Sequence, residues 1–132
     1  MIIDKKILDE LTEKAKGSPR LRCNLDLRNS ADDQSQRMLN AMEPGTVLPI
    51  HRHRRSSETV VILRGKGRWI FYDDEGNVTE SILMDAEGEV RALSVPKGQW
   101  HNTEPLESGT VILECKDGAY EPLGEQDILK TR

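Results

Sequence analysis

From Ser35 to Lys116 the chain alternates short apolar blocks with turn signals, and this grammar constrains the fold more than any other feature. The blocks at 59–63, 69–72, 78–84, 90–95 and 110–115 are rich in Val, Ile, Leu and aromatic residues. Between them stand Glu43-Pro44-Gly45, Gly65-Lys66-Gly67, Asp73-Asp74-Glu75-Gly76-Asn77, Pro96-Lys97-Gly98 and Glu107-Ser108-Gly109. Gly and Asn accept the positive φ that tight turns need, and Pro presets another turn position. Several short strands punctuated this way predict an all-β sandwich or barrel. With 132 residues there is room for one domain, spanning 1–132, with the barrel core at 35–117.

The first stretch has a different period. Ile7, Leu8, Leu11 and Ala15 recur at spacings of three and four, Asp4 can cap the start, and Gly17-Ser18-Pro19 stops the run. We expect an N-terminal helix at 4–16 that packs as a lid or dimer element and carries no chemistry. The tail beyond Asp117 is turn-rich, with one helical turn expected at 126–130.

Composition removes several function classes. A net charge of −4 argues against a general nucleic-acid binder, which needs a basic face. No apolar run approaches a membrane span, and the opening Met-Ile-Ile-Asp-Lys-Lys turns charged at once, without a signal-peptide core. Two distant cysteines, Cys23 and Cys115, read as free thiols in a reducing, cytoplasmic setting.

The chemistry concentrates in the three histidines, His51, His53 and His101. On a strand, residues i and i+2 share a face about 6.5–7 Å apart. Two imidazoles leaning together from there can share an ion at nitrogen–metal distances of about 2.0–2.1 Å. The polar stretch Arg54-Arg55-Ser56-Ser57 can turn the chain so that Glu58 opens the next strand beside the first. His101 follows the turn at 96–98. Three neutral nitrogens and a carboxylate make a mixed site for one divalent metal: Zn, Fe(II), Mn, Ni or Co. Glu58 has two readings, as a ligand or as a base that orients a histidine.

Gly45, five residues, His51-Arg52-His53, four residues, Glu58, six residues, Gly65 resembles the first signature of the cupin superfamily, position for position. Pro96-x-Gly98-x-x-His101 resembles part of the second; the expected Asn position holds Pro105, and Asn102 stands next to the histidine instead. The resemblance implies a cupin jelly-roll barrel with His51, His53, Glu58 and His101 as metal ligands. More narrowly, Ser18-Pro19-Arg20-Leu21-Arg22-Cys23-Asn24, Gln36-Arg37-Met38-Leu39-Asn40, Pro49-Ile50-His51-Arg52-His53, Trp100-His101 and Glu114-Cys115-Lys116-Asp117-Gly118-Ala119-Tyr120 are similar to the WbuC family of cupin-fold metalloproteins. That likeness implies a link to surface-polysaccharide biosynthesis.

An open N/O metal site supports isomerisation or epimerisation through an enediolate, or oxygen chemistry at Fe(II), and we favour the first. Arg20, Arg22, Arg28 and Arg37 precede the histidines, and Arg can clamp phosphate or carboxylate. Arg22 and Asn24 share strand parity and are the preferred substrate contacts, with Arg37 a weaker third. Trp100 can stack on a sugar ring or plug the barrel end. Glu114, set among Val111-Ile112-Leu113, is a candidate acid/base group if it faces inward. The expected role is an enzyme acting on a small molecule, a sugar or sugar nucleotide among the options. The alternative is a non-catalytic metal- or sugar-binding sensor module. Sheet edges left open would suit a homodimer.

Overall fold

The computed structural model describes residues 1–130. Helix α1 (Lys5–Lys16) begins at Asp4, whose carboxylate accepts the Ile7 N–H at 3.1 Å. Eight strands follow: β1 (Arg22–Asp26), β2 (Ser35–Met42), β3 (Glu58–Arg64), β4 (Lys66–Tyr72), β5 (Val78–Asp85), β6 (Ala92–Val95), β7 (Trp100–Pro105) and β8 (Thr110–Asp117). They form two antiparallel sheets, ordered β1-β2-β8-β3-β6 and β5-β4-β7. The result is an all-β jelly roll with one N-terminal helix. No helix among the described residues is long and apolar enough to cross a membrane.

Strand parity sorts the core into two layers. Met42, Val60, Ile62, Trp69, Met84 and Ile112 fill one end of the interior between the sheets. Leu39, Ala41 and Val111 point the other way and pack under Leu11 and Ala15 of α1, the helix stripe read from the sequence. Arg64 pins the helix to the barrel, donating to Asp9 at 2.6 Å, the Thr12 hydroxyl at 2.9 Å and the Gly109 carbonyl at 2.8 Å. Cys23 on β1 and Cys115 on β8 are free thiols.

Four local expectations need correction. Strands β2 and β7 were not among the apolar blocks, because their inward positions carry Gln36, Asn40 and His101 in place of aliphatic residues. The turn at 65–67 is made by Gly65 alone, with φ of +87°, and β4 starts at Lys66. The strand expected at 90–95 shortens to Ala92–Val95. The tail makes a 3-10 turn at Glu125–Asp127 and then an extended bridge, Ile128 to His51, in place of a helical turn at 126–130.

Candidate metal centre

The two-histidine segment lies outside any regular strand. His51 makes an isolated bridge to His101 on one side and to Ile128 on the other, and His53 is irregular. Backbone bonds hold it: His51 and His101 exchange N–H to carbonyl bonds of 3.0 and 2.9 Å, and the Gly98 N–H donates to the His53 carbonyl at 2.9 Å. The shared face expected from i, i+2 spacing survives, with ring centroids of His51 and His53 5.0 Å apart. His101 completes the group, 4.3 Å from His51 and 5.8 Å from His53 by ring centroid.

Backbone contacts set two of the tautomers. His51 Nδ1 lies 3.0 Å from the Pro49 carbonyl, and His101 Nδ1 lies 2.9 Å from the Gln99 carbonyl. A carbonyl only accepts, so Nδ1 carries the proton in both rings and Nε2 keeps its lone pair. Nε2 of His53 and of His101 are buried without a hydrogen-bond partner. Buried polar atoms are rarely left unpaired, and those that are point to an unfilled task. One candidate ligand atom from each of the three histidines lies within 4.8 Å of the other two, so the cluster can hold a metal.

Glu58 opens β3 and is buried beside them. Its Oε1 stands 3.4 Å from His101 Nε2, and its Oε2 stands 3.7 Å from His53 Nε2. On its other flank Lys116 Nζ lies 3.6 Å from Oε2, and Lys116 also reaches Glu114 at 3.9 Å. Burial, then the charge of His101, lowers the pKa of His51 to about 4. Burial, then Lys116, lowers that of His53 to about 4. Burial opposes the ionisation of Glu58, but His101 and Lys116 outweigh it and bring the carboxyl down to about 2. At neutral pH the arrangement therefore offers neutral imidazoles from His51 and His53 and an ionised carboxylate. Burial, helped by the nearby Glu58 charge, raises the pKa of Glu114.

A cavity of about 930 Å³ opens beside the histidines, with the tail from Gly118 to Asp127 along one side. Arg22 and Asn24 from β1 line it, and Glu114 faces into it from β8. Arg37 sits elsewhere, on the opposite parity of β2, with its guanidinium 3.1 Å from Asp33. Arg28 is taken by Asp26 at 2.6 Å. Trp100 is buried outside the cavity: its indole N–H donates to Asp74 at 3.0 Å and the Arg52 guanidinium covers its ring at 4.4 Å. Asn40 and Lys116 are among the lining residues given no role from the sequence. The signal for Lys116 was available, since it stands two residues after Glu114 and shares its face.

Residues 3–84 match a family model described as "Domain of unknown function (DUF6016)". A search of the curated proteins finds no match. Among solved structures, KdgF from Halomonas sp. aligns with a TM-score of 0.62 at 14% identity, over 78% of this chain and 84% of that one. The capsular polysaccharide assembling protein CapF from Staphylococcus aureus aligns with a TM-score of 0.64 at 20% identity, over 75% of this chain but only 27% of CapF. Oxalate oxidase in complex with the substrate analogue glycolate aligns with a TM-score of 0.58 at 13% identity, over 77% of this chain and 53% of that one. At these identities the likenesses show the fold, and that fold is the cupin barrel.

Proposed function

We propose that this chain, which belongs to the DUF6016 family, is a metal-dependent cupin enzyme acting on a small oxygenated metabolite, with a carbohydrate favoured. The observation that carries the reading is the pair of partnerless Nε2 atoms on His53 and His101, buried beside an ionised Glu58 and next to an open cavity. His51, His53, Glu58 and His101 would hold the ion. A divalent ion bound there supplies Lewis acidity toward a substrate carbonyl or hydroxyl.

The chain's own groups favour isomerase or epimerase chemistry over oxygen chemistry. Glu114 faces the cavity and burial favours its protonated form, so its carboxyl can hold a proton beside a bound substrate. Lys116 lies between the two carboxyl groups, 3.6 Å from Glu58 and 3.9 Å from Glu114. The WbuC-like segments, together with the likeness to a capsular polysaccharide assembling protein, support a role in surface-polysaccharide chemistry.

The test is solvent-deuterium incorporation. Metal-loaded protein is incubated in D2O with a panel of reducing sugars and sugar acids, and carbon-bound deuterium is followed by NMR. Incorporation by the wild type, lost in His53→Ala and in Glu114→Gln, is the expected result. Oxygen uptake by the Fe(II) form with no deuterium incorporation would replace the isomerase reading with the dioxygenase one. Protein that retains no metal would end both.

A further inference from the structure

We propose that the cavity binds an anionic polyol, a sugar acid or sugar phosphate, with its anionic group on Arg22 and a hydroxyl on Asn40. This deepens the carbohydrate reading above and rests on it only for the chemistry that follows binding.

Two polar atoms at the cavity wall are buried and have no hydrogen-bond partner: Arg22 Nε and Asn40 Oδ1. Apart from Arg20, the other cations nearby are already matched. Arg52 and Arg54 share Asp127, Arg55 takes Glu121, and Lys116 takes Glu58 and Glu114. Arg22 makes no ion pair among the described residues, and its neighbour Arg20 adds a second positive charge at the same wall. Burial, then Arg20, works against the charge on Arg22. A guanidinium in that position is matched by an anion, which it grips through charge-assisted bonds.

Asn40 narrows the class. On the inner face Asn40 pairs in register with Asn24, and Arg22 lies two residues before Asn24 with the same parity. The three polar side chains make one continuous patch. Asn40 Oδ1 is buried at this wall with no donor of its own, an acceptor left to be satisfied. A simple inorganic anion such as sulfate satisfies Arg22 but brings no hydrogen to Asn40. A neutral sugar does the reverse. A hydroxylated anion satisfies both.

The experiment is calorimetry on metal-free, full-length protein with D-galacturonate, D-glucose 6-phosphate and D-glucose. At least one anionic sugar should bind at least tenfold more tightly than glucose. Arg22→Gln should weaken that sugar by about 10- to 100-fold and leave glucose unchanged, while Arg22→Lys restores part of the loss. Tighter binding of galacturonate marks a sugar acid, and tighter binding of glucose 6-phosphate marks a sugar phosphate. On the wild type alone, millimolar inorganic phosphate should displace the bound anionic sugar, a readout independent of any variant's folding. The proposal is overturned by no preference for either anion over glucose, by unchanged binding in Arg22→Gln, or by no displacement. Metal content measured on separately loaded samples tests the metal reading independently: a protein that binds the anion but no metal loses that reading and keeps this one.

Discussion

Lys116 and Glu58 sit opposite each other in register on β8 and β3, the lysine half-buried and the glutamate buried, with the ammonium 3.6 Å from Oε2. The lysine is thus the built-in counter-ion of a carboxylate that also faces two histidines. A dication bound by Glu58 would feel the ammonium as a like charge a few ångströms away. Even at an effective dielectric constant of 20, unit charges at 4 Å interact by about 4 kcal/mol. Lys116→Met keeps the chain length and removes the charge. We expect its metal affinity to rise about tenfold or more in competition with a chromogenic chelator. The metal-free variant should lose about 2–4 kcal/mol in urea unfolding, because Glu58 is left buried without its cation. Unchanged metal affinity would mean that the ammonium does not act on the site.

The histidine cluster predicts a sharp contrast between neighbouring basic residues. His53→Ala removes one of the two partnerless nitrogens and should leave less than about a tenth of the wild-type metal, by elemental analysis of protein purified without a chelating tag. Arg37→Ala should leave the metal content untouched, since that side chain is held at Asp33, away from the cavity. Equal metal in wild type and His53→Ala would remove the site.

Stability of the metal-free protein should fall with mild acid. His51 and His53 have folded pKa values of about 4 against 6.5 for a free histidine. The unfolded chain therefore takes up protons first. Stability is full above about pH 6.5 and is lost as the pH falls towards 4. At 1.36 kcal/mol per unit, the pair should cost on the order of 3 kcal/mol between pH 7 and pH 5. Glu58, brought down to about 2 from 4.5, acts in the same direction at lower pH: its stabilisation is present above about 4.5 and is lost as the pH falls towards 2, so it leaves the window from pH 7 to pH 5 nearly unaffected. Urea midpoints at pH 7, 6 and 5 should show the slope, and His51→Asn/His53→Asn should flatten it. A flat wild-type profile would contradict the assigned burial.

Strands were legible where they were apolar and silent where they serve the cavity. β3 and β8 announced themselves through Val60, Ile62 and Ile112, which face the core. On β2 the inward positions Gln36 and Asn40 break the alternation, so periodicity alone does not register the strand. The histidine cluster beside Glu58 was readable because His51, His53 and Glu58 are close in sequence and His101 follows a glycine turn. The environment of Glu58 was not, because Lys116 reaches it only through β3–β8 register, which no local pattern encodes. Trp100 shows the same limit. Its place beside His101 left a sugar platform and a barrel plug equally open, and the pleat turns its buried ring away from the cavity, to Asp74 and Arg52.

Two signature glycines should differ in what alanine costs. Gly65 joins β3 to β4 at a φ of +87°, and a Cβ there would lie 2.3 Å from Thr110 Oγ1 and 2.8 Å from Thr110 Cα. The backbone of β8 cannot retreat, because Thr110 is fully buried and its hydroxyl donates to the Glu107 carbonyl at 2.7 Å. Gly98 has a similar φ of +78° but nothing within 4 Å of its Cβ position. Gly98→Ala therefore meets only the left-handed penalty, about 1–2 kcal/mol. It keeps the N–H that holds the His53 carbonyl, so metal content should be unchanged. Gly65→Ala adds a steric clash with buried backbone and should lose at least about 3 kcal/mol in urea unfolding. Equal losses at the two positions would show that the close approach of Gly65 to Thr110 does not constrain the barrel.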